Sequence, residues 1–143
     1  MIPTRAVLFD CDGVLVDSEG PTFLLLQADL ATHGLPLTLH EIETNWIGGT
    51  IEVLAERATR AGAVLPDGWV EDFYRRMYAL LAVNTPLIPG IVSVLDALDA
   101  AGVPCAVGSN GTLEKMRITL GQHGLIERFG GHVYSGQALG APK

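Results

Sequence analysis

Hydrophobic positions along the chain follow two different periods. Residues 5–9 read RAVLF, a short run apolar on consecutive positions that ends at Asp10. Such a run, bounded by turn chemistry, predicts a parallel strand covered on both faces. Gly13 breaks it, and Val14-Leu15-Val16 follows as a second short apolar run, expected as a small hairpin or flap. From about residue 19 to 85 the period is helical. PTFLLLQADLATHG opens with Pro21 near a helix start and stops at Gly34. Thr38 and Glu41 have capping-box spacing, and Thr50 and Asp67 are candidate N-caps of the next two helices. In the last, Trp69, Phe73, Met77 and Leu80 recur at spacings of three to four and are expected as its core stripe.

NTPLIPG, residues 84–90, is a linker, and the pattern beyond it alternates. Ile91, Val94, Leu95 and Leu98 predict one helical face, VPCAVGSNG a strand, TLEKMRITLGQHG a helix and GHVYSG a third strand. Strand, helix, strand at these spacings predicts βαβ units and a parallel sheet. The fold class is therefore α/β. Its core is expected over residues 1–16 and 86–143, with an all-helical insertion over 17–85. Ligands of parallel sheets bind beyond the carboxyl ends of the strands, and the insertion leaves the core at that edge.

Composition narrows the function classes. Hydrophobic residues make up 48% of the 143, enough for a sizeable core. Nine Lys and Arg against sixteen Asp and Glu give a formal charge of −7. That balance argues against nucleic acid or an anionic membrane as the main partner. Cys11 and Cys105 sit in apolar runs without metal spacing, which suits buried thiols in a reducing, cytoplasmic setting. The first ten residues predict no signal peptide, and no apolar run approaches transmembrane length.

The candidate chemistry lies where the strands end. Side chains two apart on a strand point the same way, so Asp10 and Asp12 are expected to face one site. Close carboxylates tend to divide into one that stays ionised and one that holds a proton, which suits a nucleophile beside a general acid/base. The pair also suits oxygen ligation of a divalent cation. A solvated turn is the other reading of DxDG; a calcium loop fits poorly, because Val14-Leu15-Val16 stand where more oxygen ligands belong. After the second strand, Ser109, Asn110 and the N–H groups opening the next helix form a potential phosphate cradle, although Asn-Gly is also an ordinary turn. After the third, Lys143 is either a charge-neutralising residue or a solvated lysine.

Together these segments resemble the haloacid dehalogenase-like hydrolase superfamily, in particular its phosphatase branch with a helical cap and the related phosphoglucomutase-like proteins. DCDGVLVDSE is similar to the first motif, VGSNG with TLEKM to the second, and GAPK to the start of the third. The resemblance implies a Rossmann-like parallel sheet core with an inserted all-helical cap. It implies Asp10 as nucleophile, forming an aspartyl-phosphate, and Asp12 as the acid that protonates the leaving alcohol and then activates water. Ser109 would bind the phosphoryl group, helped by Asn110 and the backbone near Gly13. Lys143 would balance charge, and Mg²⁺ would be held by the Asp10 carboxylate and the Asp12 carbonyl. Asp17 and Glu19 would shape the hinge, and His33, His40, His123 and His132 have no role.

The implied function is Mg²⁺-dependent phosphatase action on a small phosphorylated metabolite, a sugar phosphate being the expected class. A phosphosugar mutase of the same family and a non-catalytic fragment are the alternatives. NWIGGT, residues 45–50, is either a substrate contact or a helix-joining turn. The cap is expected to close about hinges near residues 16–20 and 84–90. The family's fourth motif, with further metal ligands, would follow Lys143. The complete protein is expected to be monomeric. For this chain alone, Ala6–Phe9 is expected to be a sheet edge open to edge-to-edge pairing.

Overall fold

The structure is a computed structural model that describes residues 3–140. Lys143 lies outside the described residues. Among them the element order is β1 (Val7–Phe9), α1 (Glu19–Thr32), α2 (Leu39–Asn45), α3 (Ile51–Arg60), α4 (Trp69–Val83), α5 (Ile91–Ala100), β2 (Cys105–Ser109), α6 (Leu113–Gly121), α7 (Leu125–Arg128), β3 (Val133–Ser135) and α8 (Gly136–Leu139). The chain divides into two compact units. One is Glu19–Val83, and the other joins the chain up to Ser18 with the chain from Asn84 onward.

The first of these units is helical, and local chemistry sets its helix starts. Thr38 Oγ1 accepts from the Glu41 N–H while Glu41 Oε2 accepts from the Thr38 N–H, so two end groups are satisfied reciprocally. Thr50 Oγ1 accepts from the Val53 N–H at the start of α3. Before α4 the chain turns at Pro66–Gly68, with the Trp69 N–H on the Pro66 carbonyl; Asp67, the expected cap, lies in that turn. The buried stripe of α4 is Trp69, Phe73, Met77 and Leu81. Leu80, expected there, is 39% exposed. The stripe follows an unbroken i+4 ridge, and an i+3 step at its end would rotate the side chain off that ridge.

Inside this unit a charge is buried. Asp29 on α1 accepts from Trp69 Nε1 and from Arg76 Nη2, each at 2.6 Å, and His33 Nε2 stands 3.8 Å away. Asp72 takes the other side of the Arg76 guanidinium. Pairing on every side is what allows a carboxylate to sit in a helical core.

The second unit is a three-stranded parallel sheet in the order β1-β2-β3. β1 is therefore at the edge among the described strands. Phe9 and Val107 pack with Ile91 and Leu95 of α5, Met116 and Leu120 of α6, and Leu125 of α7 in one core. The other face is open, with Leu8 66% and Tyr134 46% exposed. This corrects the expectation of a strand covered on both faces. Both crossovers advance in the same direction across the sheet, and crossovers of one hand then lay their helices on one side. Val94, expected on the buried face of α5, is 47% exposed; Ile91 and Leu95 carry that face, and Leu98 packs at its margin.

Val14-Leu15-Val16 makes a tight turn. The Cys11 carbonyl accepts from the N–H groups of Val14, Leu15 and Val16, and Gly13 takes a left-handed φ of 74°. Leu15 and Val16 are fully buried. Outside the turn, Asp17 N–H meets the Pro86 carbonyl and Ile88 N–H the Leu15 carbonyl, which ties the turn to the returning chain.

Candidate active site

The carboxyl ends of the three parallel strands lie along one edge of the sheet, and the polar residues gather there. Phe9 pairs with Val107, and Ser109 pairs with Ser135. Asp10 therefore follows the end of β1 on the same edge as Ser109 and Ser135. Its Oδ1 accepts from the Cys11 N–H at 2.8 Å. Asp12 Oδ1 accepts from the Ser18 hydroxyl at 2.5 Å and stands 2.9 Å from Lys115 Nζ.

The segment after β2 is pinned from below. Ser109, 3% exposed, accepts through Oγ from the Gly111 N–H at 3.0 Å. Ser135, 1% exposed, donates through Oγ to the Gly111 carbonyl at 2.6 Å, and Gln137 Nε2 donates to the Asn110 carbonyl. Thr112 then caps α6 by accepting from the Lys115 N–H. Gly111 consequently sits among the site's polar groups. A Cβ there would lie 3.3 Å from Ser109 Oγ, 3.5 Å from Asp12 Oδ2 and 3.7 Å from Lys115 Cδ. The missing side chain leaves a small space bounded by a hydroxyl, a carboxylate and a lysine.

Of the residues singled out from sequence, Asp12 and Ser109 meet around Gly111. Asp10 stands at the strand end. Asn110 lies beside Gly111, held through its carbonyl. Gly13 has its N–H donated to the Val16 carbonyl at 2.9 Å, so its visible contribution is the turn it permits. Lys143 is outside the described residues. Sequence reading missed Ser18, Gly111, Lys115 and Ser135. Ser18 lies within the DCDGVLVDSE segment, but its contact with Asp12 depends on how the turn between them closes, and the partner of Ser135 is 24 residues away. Lys115 did carry a local signal. It stands in the first turn of α6, where a cation opposes the helix dipole. Violations of a local rule concentrate at functional sites.

Cys11, between the two aspartates, is 1% exposed, and its thiol is pushed up to about 12, by burial foremost and then by the Asp12 charge. It is a packing residue here. His33 and His123 serve packing networks, the latter with Nε2 2.6 Å from the Thr85 carbonyl.

The donor set suits a hard divalent cation shared with a ligand. None of the turn's N–H groups goes to the Asp12 carbonyl, because three of them go to Cys11 and that of Gly13 to Val16. Among the described residues no three Asp, Glu, His or Cys side chains form a metal cage. Mg²⁺ commonly takes one or two carboxylates and completes its shell with water and phosphate oxygens, so Asp10 and the Asp12 carbonyl fit it.

Comparison with known proteins gives the same direction. A family model described as haloacid dehalogenase-like hydrolase matches residues 4–143. A phosphoglycolate phosphatase of Xylella fastidiosa is 33% identical over 107 residues, covering 74% of this chain and 47% of that protein. One of Xanthomonas campestris is 31% identical over 125 residues, covering 87% and 57%. The chain thus spans about half the length of the curated relatives it matches. Among solved structures, a haloacid dehalogenase family hydrolase from Deinococcus radiodurans with bound phosphate and sodium is similar at 39% identity and a TM-score of 0.71, covering 96% of this chain and 60% of that one. A predicted phosphoglycolate phosphatase from Haemophilus somnus is 28% identical with a TM-score of 0.77, covering 97% and 65%. With its aspartates at the end of the first strand and its serine at the end of the second, the chain belongs to the haloacid dehalogenase-like hydrolases.

Proposed function

We propose that the protein is a Mg²⁺-dependent phosphatase acting on a small phosphorylated metabolite through an aspartyl-phosphate. The observation that carries this reading is the space at Gly111, bounded by Ser109 Oγ, Asp12 Oδ2 and Lys115. A hydroxyl and a carboxylate gathered beside the Gly111 backbone, at the carboxyl edge of a parallel sheet, suit a site for one phosphoryl group. Phosphoryl transfer needs mainly positioning and charge neutralisation, and this edge of the sheet supplies both.

The proposed sequence of events uses the chain's own residues. An Asp10 carboxylate oxygen attacks phosphorus, and the bond from phosphorus to the ester oxygen breaks. The electron pair leaves with that oxygen, which takes a proton from Asp12. Asp12 then accepts a proton from water as the water oxygen attacks the aspartyl-phosphate, returning Asp10 and releasing phosphate. Ser109 holds the transferring oxygens. Asp10 and the Asp12 carbonyl would hold Mg²⁺, whose chemistry is to neutralise phosphoryl charge. Lys143 would add a second neutralising charge.

The relatives named phosphoglycolate phosphatases make 2-phosphoglycolate the first substrate to try, ahead of sugar phosphates. The test is a phosphate-release screen of the full-length protein over both classes, with Mg²⁺ and with a chelator. Release that needs Mg²⁺ and disappears in Asp10→Asn is expected. Undiminished release by Asp10→Asn would overturn the mechanism, and no release from any phosphomonoester would overturn the function.

A further inference from the structure

Lys115 has no place in the sequence of events above, yet its charge is largely covered: its side chain is 14% exposed and that of Asp12 is 21% exposed. It is the one lysine among the described residues, since the chain has only one other, Lys143. Three observations bear on what it does. It sits in the first turn of α6, where the dipole disfavours a cation, so its placement costs the helix something. Helical side chains lean toward the N-terminus, which from this position carries the ammonium back to the strand end. And its ammonium stands against Oδ1 of Asp12. Oδ1 takes both Lys115 Nζ at 2.9 Å and the Ser18 hydroxyl. Oδ2 is the oxygen that faces the space at Gly111.

We infer that Lys115 is a positioning residue: with Ser18 it clamps Oδ1 of Asp12, so that Oδ2 is the oxygen presented to the leaving group. A carboxylate rotates readily about its last bond, which has broad, two-fold preferences. Two donors on one oxygen remove that freedom and hold the other oxygen over the ester bond. The division of labour between the two oxygens rests on the phosphatase reading above, and it gives a role to a residue that the resemblance left without one.

The experiment compares two esters. An alkyl phosphate such as 2-phosphoglycolate releases an alcohol that needs a proton, whereas p-nitrophenyl phosphate releases a stable phenolate that does not. General acid catalysis is worth about 100- to 10,000-fold. In the full-length protein, Lys115→Met is expected to lower kcat on 2-phosphoglycolate by about 100-fold or more, the lower end of that range. On p-nitrophenyl phosphate kcat should fall only a few-fold, KM should stay close to wild type on both, and Lys115→Arg should recover part of the loss. An equal loss on both esters would make Lys115 structural and overturn the proposal. A rise in KM at unchanged kcat would make it a substrate ligand and overturn it too. If wild-type protein hydrolyses neither ester, the phosphatase reading falls and the proposal falls with it. The clamp itself has an activity-free readout: reductive methylation of Lys115 should be slow in wild type and faster in Asp12→Asn. Equal rates would show that no clamp exists, whatever the activity.

Discussion

Gly111→Ala separates a site from a structural turn. The position has no positive φ, so the backbone accepts alanine, and the loss of unfolded-state freedom favours the variant by about 0.4–1 kcal/mol. Against this, the new methyl lies 3.3 Å from Ser109 Oγ, which must shift by a few tenths of an ångström. Pushing a side chain off its preferred rotamer costs about 0.5–1.5 kcal/mol. The Asp12 Oδ2 and Lys115 Cδ distances, 3.5 and 3.7 Å, are ordinary contacts. The two terms nearly cancel, and stability should change by less than about 1 kcal/mol. The effect on a phosphoryl group is different, because the methyl crowds the Ser109 hydroxyl and the Asp12 carboxylate that would face it. Overpacking costs about 1–3 kcal/mol, which at 1.4 kcal/mol per tenfold is about 5- to 150-fold in affinity. Urea melts and calorimetric titration of inorganic phosphate with Mg²⁺, on wild type and variant, give the two numbers. An alanine variant that binds phosphate as wild type does would refute the argument. A variant that loses more than about 3 kcal/mol of stability would show that the contacts are part of the fold.

Two further outcomes follow from buried groups. Asp29→Ala leaves Trp69 Nε1 and Arg76 unpaired in the helical unit and should cost about 3 kcal/mol, the low end for a broken buried pair because Arg76 is 30% exposed. Asp72→Ala, at a carboxylate 47% exposed, should cost under about 1 kcal/mol, and equal effects of the two in denaturant melts would contradict the assignment. Cys11, with its thiol pushed up to about 12, should resist iodoacetamide in native protein at pH 9 and react once unfolded. Its folded value lies above the ordinary 9.0, so its contribution to stability is whole below pH 9 and is lost between pH 9 and about 12. Cys11→Ala should fall less steeply over that window in pH-dependent melts, and identical slopes would argue against a buried thiol.

By itself the sequence determined what depends on neighbours along the chain. The place of Asp10 and Asp12 just past the end of β1 was legible because the apolar run and the turn after it are local. The Thr38–Glu41 box and the Thr50 cap were legible because their bonds close within one helical turn. The order of strand and helix followed from apolar periods. Tertiary structure decided which of several apolar neighbours is buried. Leu81 displaced Leu80 because an i+4 ridge runs against the packing partner, and Leu8 came to lie open because both crossovers place their helices on one side of the sheet. It also decided the company of Asp12. Ser18 reaches it only because residues 13–17 close a tight turn. Lys115 reaches it only because β1 and β2 pair in register and α6 starts from the pinned loop at Gly111. No periodicity encodes those meetings: the first depends on the shape of a turn, and the second joins segments separated by the inserted helices.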